Sequence, residues 1–484
     1  MSYCCECNGA NEPKVIEKTL FNLLATCEKN ENLLKAYMLD FFVEKHWDIL
    51  PQKWTKVLEK LSPEELGHWV LYPELYNSYS DVWPLSLLAL RSTVQHLSLE
   101  RQPLKENWSK PPLGFRQSCP HRDFLFKSKE EPLNKKLFSK HIKPKKFHEI
   151  EIMAQMTANC ASRLGCEFVI DIGSGLGHLG RILAFHHGLQ VCCLEEQRCL
   201  TEKAKKIDEQ LIRCLKKIEN EKKPPVHINK SIHSALNKDE LIKILMDAFG
   251  LESETKLKFG LVGLHPCGDL GPTLMRLLTN CENAVFLNLV GCCYMKMADQ
   301  NNGEDIQGYP MSGFVQHHPQ NILSYEAREV SCHALEMYCD RLKNGCVDDL
   351  KVHCYRAALE CILVERMPEL KHSGLKSIKH VQEMSFEKYA VEAVEKLKIK
   401  LPACDLDTDD VKEKLSRWMR VVIFYSLRLL VAPLVEAVIL LDRLLYMDEK
   451  GMNAMLIPAF DPRFSPRNHI LVALKEKQSS QTCD

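Results

Sequence analysis

One stretch, Val169 to Gly180, constrains the fold more than any other part of this sequence. It opens with an apolar, β-branched run that ends at Asp171. Three glycines then follow at alternate positions: Gly173, Gly175 and Gly177. Apolar residues at helical spacing begin at Leu179. This order predicts a strand, a tight turn and a helix, which is how a βαβ unit begins. Glycines suit a backbone with positive φ, or one that a ligand must approach closely.

Two kinds of ligand are compatible with this turn. The spacing Gly175-x-Gly177-x-x-Gly180 matches a dinucleotide fingerprint, in which a pyrophosphate lies at the helix N-terminus. Asp171, however, would repel a pyrophosphate and favours a ligand that carries positive charge. The whole pattern, Asp-x-Gly-x-Gly-x-Gly, resembles motif I of class I S-adenosylmethionine-dependent methyltransferases. A glycine-rich turn that binds no ligand is the remaining alternative.

The motif I resemblance implies which residues contact the cofactor, S-adenosyl-L-methionine. The acid would lie near the amino-acid moiety of the cofactor, and the glycines would let the cofactor lie against the backbone. The residues assigned to it are Asp171, Gly173, Ser174, Gly175, Gly177 and His178. A further acid, Glu195, ends the next apolar run roughly 20 residues beyond the turn, where a carboxylate can accept hydrogen bonds from both ribose hydroxyls. Glu195 is preferred to Glu196 because it directly closes that run.

Apolar runs downstream of motif I alternate with helical patterns. They predict strands over 189–195, 226–229, 256–264 and 283–290. This alternation predicts a parallel sheet with helices on both faces, and ligands bind where such strands end. Near the C-terminus, the pattern predicts a helix over 424–449 and strands over 454–460 and 470–474. That order is the reversed hairpin with which a class I methyltransferase sheet ends.

These elements predict an α/β fold, a doubly wound sheet of the class I (Rossmann-like) methyltransferase kind, with a helical N-terminal domain and a helical insertion before the last strand hairpin. The predicted parts are a helical domain (1–125), a basic linker (126–145), the core through strand five (146–295), the insertion (296–415), the end of the core (416–476) and a disordered tail (477–484). The helical domain and the insertion are expected to pack against the core or to bind a protein partner.

Two loops at strand ends are predicted to edge the cleft that motif I forms. They are His265-Pro-Cys-Gly-Asp269 after strand four and Gly291-Cys-Cys-Tyr294 after strand five. We expect His265 to remove a proton from the methyl acceptor, since histidine titrates near neutrality. Asp269 would orient His265 or hold the acceptor, and Tyr294 would form a wall of the pocket. Alternatively, Asp269 caps the following helix and His265 only satisfies the loop backbone.

The distribution of charge bears on the substrate. The formal net charge is +0 at pH 7, so no overall field attracts nucleic acid, and any basic site must be local. Residues 127–146 hold eight lysines and two glutamates, and they end in Lys145 and Lys146 beside the helix that leads to motif I. Such a run could hold the phosphates of an RNA substrate, or it could be a solvated charge run.

The cysteines and one long apolar run bear on the compartment. The 22 cysteines are scattered without paired C-x-x-C modules, which predicts reduced thiols in a cytoplasmic or also nuclear protein, with no metal site. The N-terminus lacks the apolar segment of a signal peptide. The run over 421–447 is interrupted by charges, and its longest apolar piece is far shorter than the ~20 residues of a membrane span. We therefore expect a buried helix and no stable membrane insertion.

Several stretches together resemble one family, methyltransferase-like protein 25, and most closely its 25B type, also called ribosomal RNA adenine dimethylase domain-containing protein. Besides motif I, they are residues 82–90, 144–149, 263–270, 290–296, 353–360, 432–436 and 465–468. The resemblance implies a methyltransferase that depends on S-adenosylmethionine. The cleft motifs are also distantly similar to those of a transfer-RNA ribose methyltransferase family.

The loop after strand four does not match the reaction that the dimethylase name suggests. Adenine N6 methylation typically uses Asn/Asp-Pro-Pro-aromatic at that place, whereas this chain has His265-Pro-Cys-Gly-Asp269. Two classes of function therefore stay open. One is a methyltransferase, with RNA the favoured substrate and a protein or a small molecule as alternatives. The other is a catalytically silent interaction module that binds S-adenosylmethionine. The lysine run favours RNA, while the zero net charge and the missing catalytic motif favour the module.

Overall fold

The computed structural model describes residues 12–71, 82–103, 138–139, 142–215, 223–232, 238–252, 257–298, 308–346, 348–378 and 380–475. The helices run in chain order as α1 (Glu12–Lys29), α2 (Glu31–Leu34), α3 (Gln52–Leu58), α4 (Pro63–Leu71), α5 (Leu85–Leu97), α6 (Pro144–Arg163), α7 (His178–Phe185), α8 (Arg198–Leu215), α9 (Lys238–Phe249), α10 (Leu270–Asn280), α11 (Gly313–Gln316), α12 (Tyr325–Val330), α13 (Leu335–Lys343), α14 (Lys351–Arg366), α15 (Phe386–Ala393), α16 (Ala403–Leu406), α17 (Asp409–Ser416) and α18 (Trp418–Glu449). The strands are β1 (Phe168–Ile172), β2 (Gln190–Glu195), β3 (Val226–Asn229), β4 (Phe259–Cys267), β5 (Ala284–Cys292), β6 (Asn453–Pro458) and β7 (His469–Leu474).

The chain divides into two compact units. Unit 1 comprises Met1–Leu24, Leu99–Asn321 and Ala437–Asp484, and unit 2 comprises Ala25–Ser98 and Ile322–Glu436. This division differs from the predicted one, which treated the N-terminal helices and the insertion as separate parts. The physical reason lies in helix packing within unit 2. At Gly67 in α4, an added Cβ would lie 3.0 Å from the Leu342 Cβ of α13, so the two helices share one closely packed interface.

Unit 1 contains a seven-stranded sheet with the order β3-β2-β1-β4-β5-β7-β6. Strands β1 to β5 are parallel, and β7 runs antiparallel to both of its neighbours, β5 and β6. Each predicted strand is present, and the reversed hairpin lies at the end of the sheet as predicted. The predicted α/β fold of the class I methyltransferase kind is therefore confirmed.

The central strand of this sheet is buried along its whole length. All five residues of β1 are buried, as expected for a parallel strand with helices on both faces. In the sheet register, Asp171 lies beside Cys193 of β2 and Val262 of β4. Because β1, β2, β4 and β5 are parallel, their carboxyl ends lie along one edge of the sheet, and this edge carries the candidate site.

Helix α18 is the run that could be mistaken for a membrane span. Among the described residues, it is the one helix long and apolar enough to cross a membrane, and 94% of its most apolar 18-residue window is buried inside the protein. Within unit 1, the buried Asp442 of this helix accepts hydrogen bonds from the backbone N–H groups of Met311 (2.8 Å) and Ser312 (2.9 Å). Burial and these backbone partners fit the predicted core helix.

Candidate functional site

The glycine turn lies between β1 and α7 and has a left-handed backbone at each of its three glycines. The φ angles are +72° at Gly173, +57° at Gly175 and +69° at Gly177. At Gly175, no atom lies within 4 Å of the place that a Cβ would take, so this face of the turn is open. At Gly177, an added Cβ would lie 2.4 Å from the His227 ring. The turn is therefore open on one side and supported closely by a side chain on the other.

Asp171 is a buried acid at the end of β1. Its residue is only 2% exposed, and within the described part of the chain its Oδ2 atom has no hydrogen-bond partner. Burial raises the pKa of this carboxyl to about 7, although the backbone N–H of Gly180 and the charge of Lys146 act in the opposite direction. Ser174 Oγ is likewise buried without a hydrogen-bond partner among the described residues. A cationic, hydrogen-bonding ligand would satisfy both groups.

Glu195 closes β2 and lies directly against the turn. One of its carboxylate oxygens accepts a hydrogen bond from the N–H of Gly175 at 2.8 Å, and the other accepts one from the N–H of Gln197 at 2.9 Å. A carboxylate has roughly four lone-pair positions, so these two bonds leave capacity for further donors such as ribose hydroxyls. The structure thus brings together the two acids and the glycines that the sequence assigned to the cofactor.

His178 is the remaining residue that the sequence assigned to the cofactor. Its ring is buried at the start of α7, and its Nδ1 atom lies 3.0 Å from Nη1 of Arg181. That His178 contacts the cofactor stays a prediction, and in this structure one of its ring nitrogens is engaged with Arg181. Arg181 forms an ion pair with the buried Asp208 of α8, and His227 Nε2 lies 2.6 Å from the other oxygen of Asp208.

This buried network supports the turn, and sequence reasoning missed it. Arg181 donates a hydrogen bond to the carbonyl of Leu176 inside the turn, at 2.8 Å. His227 comes from β3 and packs beneath Gly177. The three residues of the network, Arg181, Asp208 and His227, lie in three different elements, and their spacing along the sequence matches no motif. The one sequence signal that could have found them is the presence of charged or polar residues within otherwise apolar core faces.

Substitution of Gly177 by alanine is expected to destabilise the protein by about 2–4 kcal/mol. The positive φ is unfavourable for an L residue by about 1–2 kcal/mol, and the new methyl group would overlap the His227 ring, which Asp208 holds. Equilibrium urea unfolding measures the change. Gly165→Ala is the matched control, because Gly165 also has a positive φ but has no atom within 4 Å of the Cβ position. Equal losses for both variants would contradict the packing argument.

His265 lies near the end of β4 in an unusual backbone conformation, with φ +68°. Its Nε2 atom is 2.9 Å from Oε2 of Glu149, a residue of α6 that is 2% exposed. Burial alone would raise the pKa of Glu149, but the hydrogen bond and charge of His265 keep it below its ordinary value. Sequence reasoning missed Glu149, which is 116 residues from His265 along the chain.

The other two predicted acceptor residues are engaged elsewhere. Both oxygens of Asp269 accept the N–H of Ala298, at 3.0 and 3.1 Å, and its side chain does not cap α10. Asp269 therefore anchors the following loop, which neither the catalytic nor the capping interpretation foresaw. Tyr294 is 1% exposed, and the guanidinium of Arg443 lies 5.5 Å from its ring centroid. Its place as a pocket wall stays a prediction, and in this structure the ring packs against Arg443 within the protein.

The two lysines assigned to the substrate lie at the start of α6. Lys145 and Lys146 are both exposed. The charge of Lys145 acts on Glu149, and the charge of Lys146 acts on Asp171. They are therefore near enough to both acids to influence them electrostatically. Residues 127–137 and 140–141 of the lysine run lie outside the described residues.

The sheet order, the glycine turn after β1 and the acid that ends β2 are those of the class I methyltransferase fold. Comparison with known proteins agrees: residues 145–300 match a family model described as a methyltransferase domain. The protein named "Probable methyltransferase-like protein 25" of Homo sapiens is 30% identical over 234 residues, which cover 45% of this chain and 37% of that protein. Its Mus musculus counterpart is 29% identical over 241 residues, with the same coverage.

These matches agree with the predicted resemblance to methyltransferase-like protein 25. The aligned part spans well under half the length of these relatives, and it does not distinguish the 25B type. No solved structure gives a significant match.

Proposed function

We propose that this chain is an S-adenosylmethionine-dependent methyltransferase that acts on RNA. The observation that carries the proposal is the buried Asp171 carboxylate, whose Oδ2 atom lacks a hydrogen-bond partner within the described residues, beside a glycine turn that is open at Gly175. A buried carboxylate is unfavourable unless something compensates its charge. S-adenosylmethionine carries an ammonium group and a sulfonium, and it is the cofactor that methyltransferase domains of this kind typically use.

The residues present fit that cofactor. Asp171 and Ser174 would receive its amino-acid moiety, and the open face of Gly175 leaves room for a ligand against the backbone. Glu195, already hydrogen-bonded to the turn, would accept the ribose hydroxyls. When bound, the cofactor supplies an electrophilic methyl group on a sulfonium.

We assign the acceptor side of the site to His265, oriented by Glu149. Among the described residues, Nε2 of His265 is held by Glu149, and Nδ1 has no hydrogen-bond partner. A histidine held by a carboxylate through one nitrogen can receive a proton on the other. With Asp269 and Tyr294 engaged in loop and core contacts, His265 is the candidate whose side chain stays partly exposed, at 32%.

RNA is the proposed substrate because of Lys145 and Lys146. Two exposed ammonium groups at the start of α6 could hold phosphates beside the carboxyl ends of the strands. The formal net charge is +0, so attraction must be local, and binding should weaken as salt concentration rises. We further propose a reducing compartment, cytoplasm or nucleus, where buried thiols such as Cys192 and Cys193 stay reduced.

The second candidate function is a silent module that binds the cofactor and recruits a protein partner. Two observations favour this module. Asp269 accepts the N–H of Ala298, and Tyr294 is buried. Of the residues considered for the acceptor side, only His265 and its partner Glu149 are then left to assist methyl transfer. In that case the helices of unit 2 or the exposed residues of unit 1 would hold the partner.

The proposal is tested first by calorimetry with S-adenosylmethionine and its demethylated product, and then by labelled methyl transfer. Total RNA and total protein from cells that lack the protein serve as substrates. We expect heat of binding for both ligands and label that ribonuclease removes. Label in protein only would favour a protein methyltransferase, and binding without transfer to either pool would favour the module.

Single-turnover transfer tests the acceptor residues. We expect His265→Ala to lower the rate by about 100-fold or more and Glu149→Gln by about tenfold or more, with cofactor affinity unchanged in both. Asp269→Asn is the comparison variant, because its side chain holds a loop; we expect it to change stability and leave the rate within about twofold. Wild-type rates for both His265→Ala and Glu149→Gln would remove these residues from the mechanism.

A further inference from the structure

Three cysteine thiols converge where β4 and β5 end. Cys267 is the last residue of β4, Cys292 is the last residue of β5, and Cys293 follows it. The sulfur of Cys293 lies 3.5 Å from that of Cys267 and 3.4 Å from that of Cys292, and all three sulfurs lie within 4.8 Å of one another. Two sulfurs on one tetrahedral zinc ion, with Zn–S bonds of about 2.3 Å, are separated by about 3.8 Å. The thiols are therefore spaced nearly as metal ligands are.

The backbone brings them together in two ways. Cys267 and Cys292 are direct neighbours in the parallel ladder, so their side chains lie on the same side of the sheet. In a regular strand, Cys293 would point away from Cys292, but it has φ +50° and is left-handed. This conformation is unfavourable by about 1–2 kcal/mol for a residue other than glycine. Such outliers concentrate at functional sites, and here the outlier turns a third thiol towards the other two.

The contact between the two loops is equally close. At Gly268, which follows Cys267, an added Cβ would lie 2.6 Å from the carbonyl oxygen of Lys296. The loop after β5 is therefore packed directly on the loop after β4, and the distance between the thiols does not depend on a flexible segment. Burial and the neighbouring Cys293 raise the pKa of the Cys267 thiol above its ordinary value, and the charge of Lys296 acts in the opposite direction.

We propose that Cys267, Cys292 and Cys293 bind one zinc ion, with a fourth ligand position that opens to solvent. Thiolates are soft ligands that select zinc over magnesium or calcium, which prefer oxygen. Cys267 is exposed and the other two are partly exposed, so water or a substrate group can take the fourth position, as in zinc sites with three protein ligands. Each thiol releases its proton to solvent as its sulfur bonds to the metal, and no electron is transferred.

This inference goes beyond the proposed methyl transfer and departs from the prediction that the chain has no metal site. The prediction relied on the lack of C-x-x-C spacing. These ligands instead come from the ends of two strands that are neighbours in the sheet. The spacing of the cysteines along the sequence therefore could not predict the site.

The test is metal analysis of the full-length protein, purified without chelator after growth in medium that contains zinc. We expect about one zinc ion per chain for the wild type. We expect the affinity of each single variant, Cys267→Ser, Cys292→Ser or Cys293→Ser, to fall by more than about 100-fold, since even changes outside the ligand shell lower affinity by 10–100-fold. Titration of the metal-free protein with Co²⁺ should give the intense visible bands and thiolate charge-transfer absorption of a tetrahedral thiolate site.

Two control variants test whether cysteines outside the proposed site bind the metal. Replacement of Cys4, Cys5 and Cys7 together by serine tests the N-terminal cysteines, and replacement of the exposed Cys199 and Cys346 by serine tests scattered thiols. Both variants should keep the metal. Zinc bound equally well by the variant that lacks Cys267, Cys292 and Cys293, or a Co²⁺ spectrum without thiolate absorption, would overturn the proposal. Neither readout depends on methyl transfer, so failure of the proposed function leaves this test intact.

Discussion

Substitution of Asp171 by asparagine is expected to weaken S-adenosylmethionine binding by at least about 100-fold and, at the same time, to stabilise the protein without ligand by about 1–3 kcal/mol at pH 8. Both effects have one cause. Asp171 is 2% exposed, and burial raises the pKa of its carboxyl to about 7. Above that pH its charge is unfavourable in the folded protein, whereas a cationic ligand would compensate that charge. Asparagine keeps the shape and removes the charge.

The dependence on pH follows from the same carboxyl. The ordinary pKa of Asp171 is 3.8, so the folded protein without ligand binds the proton more tightly than the unfolded chain does. Its stability relative to the asparagine variant is therefore lost as pH rises from about 4 to about 7. Cofactor affinity should change in the opposite sense. It should rise with pH until about 7 and level off there, because the cationic ligand binds the ionised carboxylate.

Calorimetry at several pH values and urea unfolding measure these two effects. Glu195→Gln is the matched control for affinity, because it alters a cofactor acid that is already hydrogen-bonded to Gly175. We expect it to weaken binding without the gain in stability. An asparagine variant at Asp171 that binds as tightly as the wild type would remove this residue from the site.

Substitution of Asp208 by alanine is expected to destabilise the protein by about 3–5 kcal/mol, the largest loss we expect from a single exchange. Asp208 is 4% exposed and is the common partner of Arg181 and His227. Its removal leaves the Arg181 guanidinium buried without its carboxylate. Because Arg181 also holds the Leu176 carbonyl, we expect the turn to loosen and cofactor affinity to fall with stability.

Urea unfolding and calorimetry measure this pair of losses. Glu202→Ala is the matched control, because Glu202 lies on the same helix α8 and forms an exposed ion pair with Arg198. Exposed pairs four residues apart contribute about 0.3–0.5 kcal/mol, so the control should change stability very little. If Asp208→Ala and Glu202→Ala had similar effects, the buried network would not support the turn.

The sheet and the cofactor side of the site could be predicted because their signals are local. β1, the glycine turn and α7 are consecutive in the chain, and a continuous apolar run gives way to apolar residues at helical spacing where the turn ends. Glu195 could be placed because it ends the next apolar run, and parallel strands all end at one edge of a sheet.

The acceptor side and the support beneath the turn depended on the tertiary structure. Glu149 contacts His265 across 116 residues, and Asp208 joins groups from α7 and β3, so no short spacing could reveal these pairs. The contact of Asp269 could not be predicted because the N–H that it accepts belongs to Ala298, in a loop whose path local rules do not set.

The same distinction holds for the whole chain. By itself, the sequence determined which segments form strands and helices, where the glycine turn lies and which acids lie at the ends of β1 and β2, because backbone geometry and side-chain period act between near neighbours. Only the tertiary structure decided that the helices of 25–98 and 322–436 share one unit, that His178 contacts Arg181 and that three cysteine thiols meet at the ends of β4 and β5. Those outcomes depend on packing between elements that are far apart in the chain, and burial acts on area without regard to sequence distance.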